Sequence, residues 1–272
     1  RQRHMAAYIR LTRERGLLAQ AQLQAERLAE EHRVRECDAA LTIQFGSEIS
    51  TELNQTVRNF VNSLEEEIRS GKLPQVIEYV PAVASTTIYF DPTINHVELI
   101  SCLKQITEKS QKSKYICSHW ELPICFDPSF TNDLDHIANH LNISKDEILN
   151  KFCNTTLQVF MIGFMPGFPF MGTIPNELSI PRKPSPRTQV PSQSVAIANK
   201  MCGIYPWESP GGWNLIGKMP IPLFDQNNTE RPTLLRAGDY VSWRPITLDE
   251  FEFIVDNQKI KVDWDSCQAQ MQ

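Results

Sequence analysis

Residues 204–220 read IYPWESPGGWNLIGKMP, a stretch that combines three prolines, three glycines and two tryptophans. A similar composition extends over residues 160–245, which hold 13 of the 18 prolines and 8 of the 11 glycines. Short β-type segments such as SVAIA (194–198) and YVSWRPI (240–246) are interleaved with these turn residues. Many short strands separated by turn signals are typical of a compact β-barrel or β-sandwich. This stretch therefore predicts such a unit in the second half of the chain.

The residues before this unit follow a different pattern, which predicts a small α+β domain. In chain order the segments are a strand ALTIQF (40–45), a helical apolar stripe over 49–68, strands VIEYV (76–80) and TTIYF (86–90), and a helix HVELISCLKQI (96–106). The order β-α-β-β-α, closed by a further strand near residues 116–125, is that of a ferredoxin-like sandwich. We therefore expect an α+β protein, with an N-terminal ferredoxin-like α/β sandwich over residues 34–115 and a β domain over residues 116–265.

Residues 1–33 differ from both units and are expected to form one appended helix. Leu17, Ala21, Ala25 and Leu28 recur at a helical spacing within a segment rich in helix-favouring residues. Such a helix would either serve oligomerisation or docking, or be an appendage that takes no part in the fold.

The composition argues against several classes of protein. The net charge of -5 and the pI near 5.7 give no general attraction to nucleic acid or to an anionic membrane surface. The longest apolar run, VFMIGFMPGFPFMG (159–172), is too short and too rich in proline and glycine to span a bilayer. The seven cysteines include no C-x-x-C pair, which fits a reducing compartment. We therefore expect a cytoplasmic protein that binds neither nucleic acid nor membrane.

Histidines and phosphate-binding loops give little indication of chemistry. All six histidines precede residue 141, so the proline- and glycine-rich residues contain no histidine base for a Ser-His or Cys-His pair. His136 and His140 stand four residues apart on a predicted helix, but no H-E-x-x-H accompanies them, and a solvated helix face is favoured over a metal site. Neither G-x-x-x-x-G-K-[ST] nor G-x-G-x-x-G occurs. No metal is expected.

Polar candidates gather in IPRKPSPRTQV and the residues that follow it. The residues singled out are Arg182, Lys183, Arg187, Ser194, Lys200, Tyr205 and Ser209. Arg182 and Arg187, on a proline-stiffened loop, would either grip a carboxylate or phosphate as a fork or form salt bridges across the barrel. Gly211 and Gly212 would permit a positive φ and a close backbone approach, or simply turn a corner. The aromatic residues that would line a pocket or belong to the core are Phe164, Phe168, Phe170, Trp207 and Trp213.

Taken together, these motifs resemble the carboxyltransferase subunit-B family in order and spacing. The matching segments are CDAALTIQFG, GFMPGFPFMGTIP, PRKPSPRTQVP, SVAIA, GIYPWESPGGWNLIGKMP, LFD and LLRAGDYVSWRPIT. They cover roughly residues 34–255. The family includes the B subunit of bacterial ATP-dependent 5-oxoprolinase, formerly called allophanate hydrolase subunit 1, and an inhibitor of the sporulation histidine kinase. A segment of urea carboxylase also belongs to it, within a much longer, biotin-carrying chain.

The resemblance implies that the β domain is a cyclophilin-like barrel and that the chain works in a heteromeric enzyme. There, the B subunit works with a homologous C subunit and with a TIM-barrel-like A subunit to open the lactam of 5-oxo-L-proline to L-glutamate with ATP. This chain would be inactive alone, and ATP would be bound by the assembled complex. The residues expected to bind the small acidic substrate are Arg182, Arg187, Tyr205, Ser209, Gly211, Gly212 and Trp213. Arg187 is favoured for the substrate carboxylate because PRTQVP matches the family most closely.

The chain departs from the family pattern at positions that bear on activity. Phe152 stands where the family usually has His, Gln193 where it usually has Gly, and Met201-Cys202 where it usually has Gln-Thr. FDPSFTNDL also replaces the usual YGGEFGPDL. A chain whose missing His acted on the substrate would be inactive or altered in specificity. The resemblance to the sporulation-kinase inhibitor allows an alternative function, a regulatory protein that binds and inhibits a sensor histidine kinase, and the loss of the family His favours it.

Overall fold

A computed structural model describes residues 33–37, 39–110, 117–258 and 268–269, which divide into two compact units. The first unit contains the described residues up to 48 and from 52 to 110; the second contains residues 49–51 and those from 117 onward. The helix predicted over residues 1–33 lies outside the described residues, except for Arg33, which begins a strand. Within the described part of the chain, no helix combines the length and the apolar character needed to cross a membrane.

The first unit is a four-stranded antiparallel sheet with two helices. Its elements are β1 (Arg33–Cys37), β2 (Ala40–Gln44), α1 (Thr51–Arg69), β3 (Val76–Pro81), β4 (Ser85–Phe90) and α2 (His96–Lys109). The strand order is β1-β2-β4-β3. The predicted strands and helices between residues 40 and 109 are confirmed, and β1 is an edge strand that the sequence did not predict. The expectation of a closing strand near 116–125 is wrong for this sheet, because that segment pairs in the second unit. The ferredoxin-like description stays a prediction.

The core of the first unit is built by the periodicities that predicted its elements. Phe60 and Leu64 lie on the buried stripe of α1, and both are fully buried. Leu41 on β2 and Ile88 on β4 point to the same core from directly opposed positions of the sheet. The alternate residues of these strands are polar or only partly buried, as expected for a sheet covered by helices on one face.

The second unit contains a closed, mixed β-barrel of seven strands. The described residues of this unit form the barrel strands and three further strands, which in chain order are β5 (His119–Cys125), β6 (Leu157–Ile162), β7 (Pro169–Gly172), β8 (Arg187–Val190), β9 (Ser194–Ala198), β10 (Met201–Ile204), β11 (Ser209–Gly211), β12 (Asn214–Lys218), β13 (Tyr240–Ile246) and β14 (Gln268–Ala269). Its helices are α3 (Leu134–Leu141), α4 (Lys145–Cys153) and α5 (Leu248–Gln258), with a short 3-10 helix at Asn176–Leu178. The helix predicted around His136 and His140 is confirmed as α3, and at the start of α4 the backbone N–H of Glu147 donates to Ser144 Oγ at 3.2 Å.

The barrel follows the order β12-β9-β10-β7-β6-β13-β5 and closes where β12 pairs with β5. β13 and β5 run parallel, and the other neighbours are antiparallel. β14 adds to β5, and β8 pairs with β11 in a separate two-stranded sheet. The β-barrel alternative of the prediction is therefore confirmed over the sandwich. The relation to cyclophilins stays a prediction.

Small residues on the outer face of the barrel make room for a layer of aromatic rings. On β9 and β10, Ile197 and Cys202 belong to the barrel core, whereas their neighbours Ala196 and Gly203 alternate to the other face. A Cβ on Gly203 would lie 2.7 Å from the ring of Phe168, so only glycine fits beneath that ring. This outer face carries the candidate site.

Gln193, just before β9, has a backbone conformation that favours glycine. Its φ is 58°, a left-handed conformation that favours glycine. Its backbone N–H donates to Tyr205 O at 2.5 Å, and its carbonyl accepts from Met219 N at 2.9 Å, so neighbouring segments fix this geometry. We expect Gln193→Gly to have a free energy of unfolding about 1 kcal/mol higher than Gln193→Ala. Both variants lose the bond from Nε2 to Pro206 O, but only glycine adopts the positive φ freely. Urea unfolding measures the difference, and equal stabilities would contradict this explanation.

Candidate functional site

The candidate residues come together on the two-stranded sheet outside the barrel. β8 and β11 are antiparallel, and Arg187 lies directly opposite Gly211. The backbone N–H of Lys183 donates to Gly212 O at 2.8 Å and extends the contact. We call residues 181–190 and 209–213 the site ribbon. Six of the seven predicted substrate-binding residues lie on it, and the seventh, Tyr205, packs against it.

A buried carboxylate joins the site ribbon to the barrel. Asp133 Oδ1 accepts hydrogen bonds from Lys183 Nζ at 2.6 Å and from Arg187 Nη2 at 2.5 Å, while Oδ2 accepts from the backbone N–H of Leu215 at 2.8 Å. The Asp133 side chain is 3% exposed, against 24% for Lys183 and 25% for Arg187. The sequence indicated no role for Asp133 at this ribbon. Its position before α3 is typical of an N-cap, but its carboxylate makes no capping bond and serves the ribbon instead.

Opposing effects act on the pKa of Asp133. Burial raises the pKa, but the hydrogen bonds from Arg187, Lys183 and the backbone of Leu215 outweigh it and hold the pKa below its ordinary value. Because the folded pKa is depressed, the stabilisation is present above the unfolded-state pKa and is lost as the pH falls through the folded pKa. The link between ribbon and barrel is therefore charged and complete at neutral pH.

The cluster around Asp133 has an excess of positive charge. One carboxylate serves both Lys183 and Arg187, so one positive charge has no counter-charge within this group. Nη1 of Arg187 is buried and has no hydrogen-bond partner among the residues that the structure describes. Leaving a buried donor unpaired costs about 1–3 kcal/mol. The cluster therefore favours an additional hydrogen-bond acceptor that carries negative charge.

Arg182 extends this positive region over the aromatic layer, to which the Tyr205 ring belongs. The exposed Arg182 has its Cζ 5.7 Å from the centre of the Trp213 ring. Tyr205 is 2% exposed, and burial raises its pKa, against lowering effects of the Trp213 backbone and of the Arg182 and Arg187 charges. Tyr205 thus lies beneath the ribbon. Its direct contact with a substrate stays a prediction.

Gly211 and Gly212 differ in their surroundings. Neither has a positive φ, so that part of the expectation is wrong. The close approach holds for Gly211, where a Cβ would overlap the hydroxyl oxygen of Tyr205, but at Gly212 the nearest atom is 3.5 Å away, on Pro186. The sequence could not show that the constraint at Gly211 comes from a side chain of the same protein.

We expect Gly211→Ala to lower the free energy of unfolding by about 2 kcal/mol, because the methyl group must displace the buried Tyr205 ring. Gly212→Ala is the matched control, with an expected change within about 0.5 kcal/mol. Urea unfolding followed by tryptophan fluorescence measures both. Equal losses in the two variants would contradict the contact with Tyr205.

The remaining candidates are divided between the ribbon, the core and the surface. Ser209 Oγ donates to Pro210 O at 3.3 Å, within the ribbon. Ser194 is buried at the start of β9, and Lys200 is exposed in the turn after it. Of the aromatic candidates, Phe168 and Trp213 are buried, Phe170 is partly buried, and Phe164 and Trp207 are 67% and 45% exposed. The Phe168 ring contacts the rings of Phe164, Phe170, Tyr205 and Trp213.

Two of the departures from the family pattern, Phe152 and Cys202, belong to the core of the second unit. Phe152, on α4, is 1% exposed and stacks on Trp243 with ring centres 5.2 Å apart. Cys202, on β10, belongs to the same core, and burial raises the pKa of its thiol. Side chains at these two positions therefore do not reach a substrate that arrives from solvent.

The histidines of the second unit show one pairing that sequence reasoning missed. β5 joins the barrel and places His119 Nε2 3.1 Å from Ser242 Oγ on β13. Among the described residues no carboxylate hydrogen-bonds to His119, so the pair lacks the third member of a catalytic triad. His136 and His140 lie on α3 with ring centres 6.2 Å apart, and the described ranges contain no cluster of three potential metal ligands.

The chain matches known proteins over most of its length. Residues 33–235 match the carboxyltransferase domain, subdomain C and D. The 5-oxoprolinase B subunit of Bacillus subtilis (strain 168) is 34% identical over 229 residues, which are 79% of this chain and 92% of that protein. The 5-oxoprolinase B subunit of Haemophilus influenzae is 36% identical over 62% of this chain and 78% of its own length.

Solved structures show the same architecture. The crystal structure of TTHA0988 is 32% identical with a TM-score of 0.63, and the match covers 78% of this chain but only 40% of TTHA0988. The urea amidolyase of K. lactis, at 22% identity and a TM-score of 0.70, shares the fold. The family match and the B. subtilis relative together decide the assignment: this chain belongs to the carboxyltransferase subunit-B family.

Proposed function

We propose that this chain is the B subunit of a cytoplasmic, ATP-dependent 5-oxoprolinase. With a homologous C subunit and a TIM-barrel-like A subunit, it would open the lactam of 5-oxo-L-proline to L-glutamate. The two relatives named as B subunits of 5-oxoprolinase, matched over most of their lengths, support this proposal. The observation that carries it is the uncompensated positive charge at Lys183 and Arg187, because 5-oxo-L-proline carries a single carboxylate.

In this proposal the substrate carboxylate accepts hydrogen bonds from Lys183 Nζ and Arg187 Nη1. Because Nη1 is covered, the guanidinium must shift slightly when the ligand arrives. Arg182 adds positive charge at the exposed side, and the backbone of Gly211 and Gly212 shapes the wall behind the substrate. Charge-assisted hydrogen bonds of this kind are stronger than neutral ones and orient a carboxylate.

ATP would supply the activation that an amide requires before water attacks it, by phosphorylation of the lactam oxygen. The sequence of this chain contains no standard phosphate-binding motif. In this proposal ATP is bound by the assembled complex. The residues of this chain bind and orient the substrate.

The family resemblance allows the kinase-inhibitor alternative, and the replacement of the family His by Phe152 was the feature of this chain that favoured it. Since Phe152 lies in the barrel core, this replacement gives no reason to expect loss of substrate binding at the ribbon. No other feature of the described residues favours that alternative.

The test is ATP-dependent release of glutamate from 5-oxo-L-proline by this chain alone, with the TIM-barrel-like partner, with the homologous partner, and with both. We expect glutamate only in the complete mixture. The proposal would be contradicted if no mixture released glutamate although the same partner subunits were active with the B subunit of another 5-oxoprolinase.

A further inference from the structure

Asp133 accepts three hydrogen bonds from groups of the protein itself. Oδ1 is shared by Lys183 and Arg187, and Oδ2 is held by the backbone of Leu215. The carboxylate is almost completely buried, so water does little to screen its charge. Any ligand that binds both cations therefore lies a few ångströms from a fixed negative charge.

The balance of charges in this group limits the ligands that it tolerates. Two cations and one carboxylate leave one positive charge, which a monoanion neutralises. A dianion would bring a second negative charge close to the buried Asp133 carboxylate, where like charges repel strongly because little solvent intervenes. Arg182 contributes less to this balance, because it is exposed and lies over the Trp213 ring.

We propose that Asp133 is the specificity-determining residue of the ribbon site: it positions Lys183 and Arg187 and restricts the site to monocarboxylates over phosphate dianions. This inference rests on the proposed function only in taking Lys183 and Arg187 as the carboxylate site. Asp133 itself does not contact the ligand. A purely structural link would also hold the ribbon in place, but its removal would not change the preference among anions.

The experiment measures binding to the full chain by isothermal titration calorimetry. The probes are 5-oxo-L-proline, its neutral carboxamide, and inorganic phosphate at about pH 8, where phosphate is mainly a dianion. The variant is Asp133→Asn. Asp135→Asn is the matched control, because Asp135 lies on the same helix but pairs with Lys145 at the surface, where its side chain is 80% exposed.

We expect the wild-type chain to bind 5-oxo-L-proline at least about tenfold more tightly than phosphate or the carboxamide. Asp133→Asn should lower the ratio of the phosphate Kd to the 5-oxo-L-proline Kd by at least about tenfold, and Asp135→Asn should leave it unchanged. An unchanged ratio in a folded Asp133→Asn chain, checked by circular dichroism, overturns the inference. If Asp133→Asn does not fold, Lys183→Met is the second variant. It keeps Asp133, so it should weaken the binding of both anions while retaining the preference for the carboxylate. Loss of that preference also overturns the inference.

Failure of the inference and failure of the proposed function are distinguishable. Glutamate formation by the complete complex together with an unchanged ratio overturns the inference alone. A changed ratio without glutamate formation overturns the proposed reaction and supports the role of Asp133. A wild-type chain that does not bind 5-oxo-L-proline overturns the carboxylate site on which both depend.

Discussion

Replacement of Arg187 by alanine is expected to lower kcat/KM for glutamate formation by at least about 100-fold in the assembled complex, mainly through KM. A 100-fold change corresponds to about 2.8 kcal/mol, the upper part of the range measured for hydrogen bonds to charged groups. The substitution removes the guanidinium that carries Nη1 and leaves Lys183 as the remaining side-chain donor to Asp133.

One further variant separates the roles of charge and geometry at Arg187, and a second, at another arginine, is the control. Arg187→Lys keeps the charge but loses the planar fork, so we expect an intermediate loss. Arg244→Ala is the control for removing an arginine, because Arg244 pairs with Glu250 at the surface and both side chains are about 40% exposed or more. A KM for Arg187→Ala within about twofold of the wild-type value would remove Arg187 from the substrate site.

Replacement of Asp239 by alanine is expected to lower the free energy of unfolding by about 3 kcal/mol. The buried Asp239 carboxylate accepts from Trp120 Nε1 at 2.9 Å and from the backbone N–H groups of Ser118 (3.1 Å) and Arg236 (2.9 Å). These bonds join the beginnings of the parallel strands β5 and β13, and alanine would leave three donors without their acceptor.

Urea unfolding measures this loss, with Asp249→Ala as the control at an exposed position in the first turn of α5. We expect that control to change stability by about 0.5 kcal/mol or less. A loss below about 1 kcal/mol for Asp239→Ala would show that water replaces the carboxylate at this position.

Local patterns predicted most of the elements because they act over a few residues. The alternation in ALTIQF predicted β2, the β-type segment YVSWRPI predicted β13, and the apolar stripe over residues 49–68 predicted α1 within two residues of its bounds. The strand predicted near residues 116–125 exists as β5 but was assigned to the wrong sheet. Its parallel partner β13 lies more than 100 residues away, and an apolar run does not indicate its partner.

The sequence predicted most residues of the site but not the hydrogen bonds and contacts that connect them. The proline-stiffened arginines and the SPGGW glycines marked both strands of the ribbon, because prolines and glycines fix local backbone geometry. The role of Asp133 was not predicted, because its partners Lys183 and Arg187 lie about 50 residues further along the chain. The burial of Tyr205 was also not predictable from the sequence, since it depends on the packing of Gly211 over the Tyr205 ring.

The central claim is that Arg187 and Lys183 hold the carboxylate of 5-oxo-L-proline. Its most direct test is a crystal structure of this chain with its partner subunits and bound 5-oxo-L-proline. We predict a carboxylate oxygen about 3 Å from Arg187 Nη1 and the second oxygen within hydrogen-bonding distance of Lys183 Nζ, with Asp133 still bonded to both cations. A substrate carboxylate bound elsewhere in the complex, with the Asp133 cluster unchanged, would contradict the account.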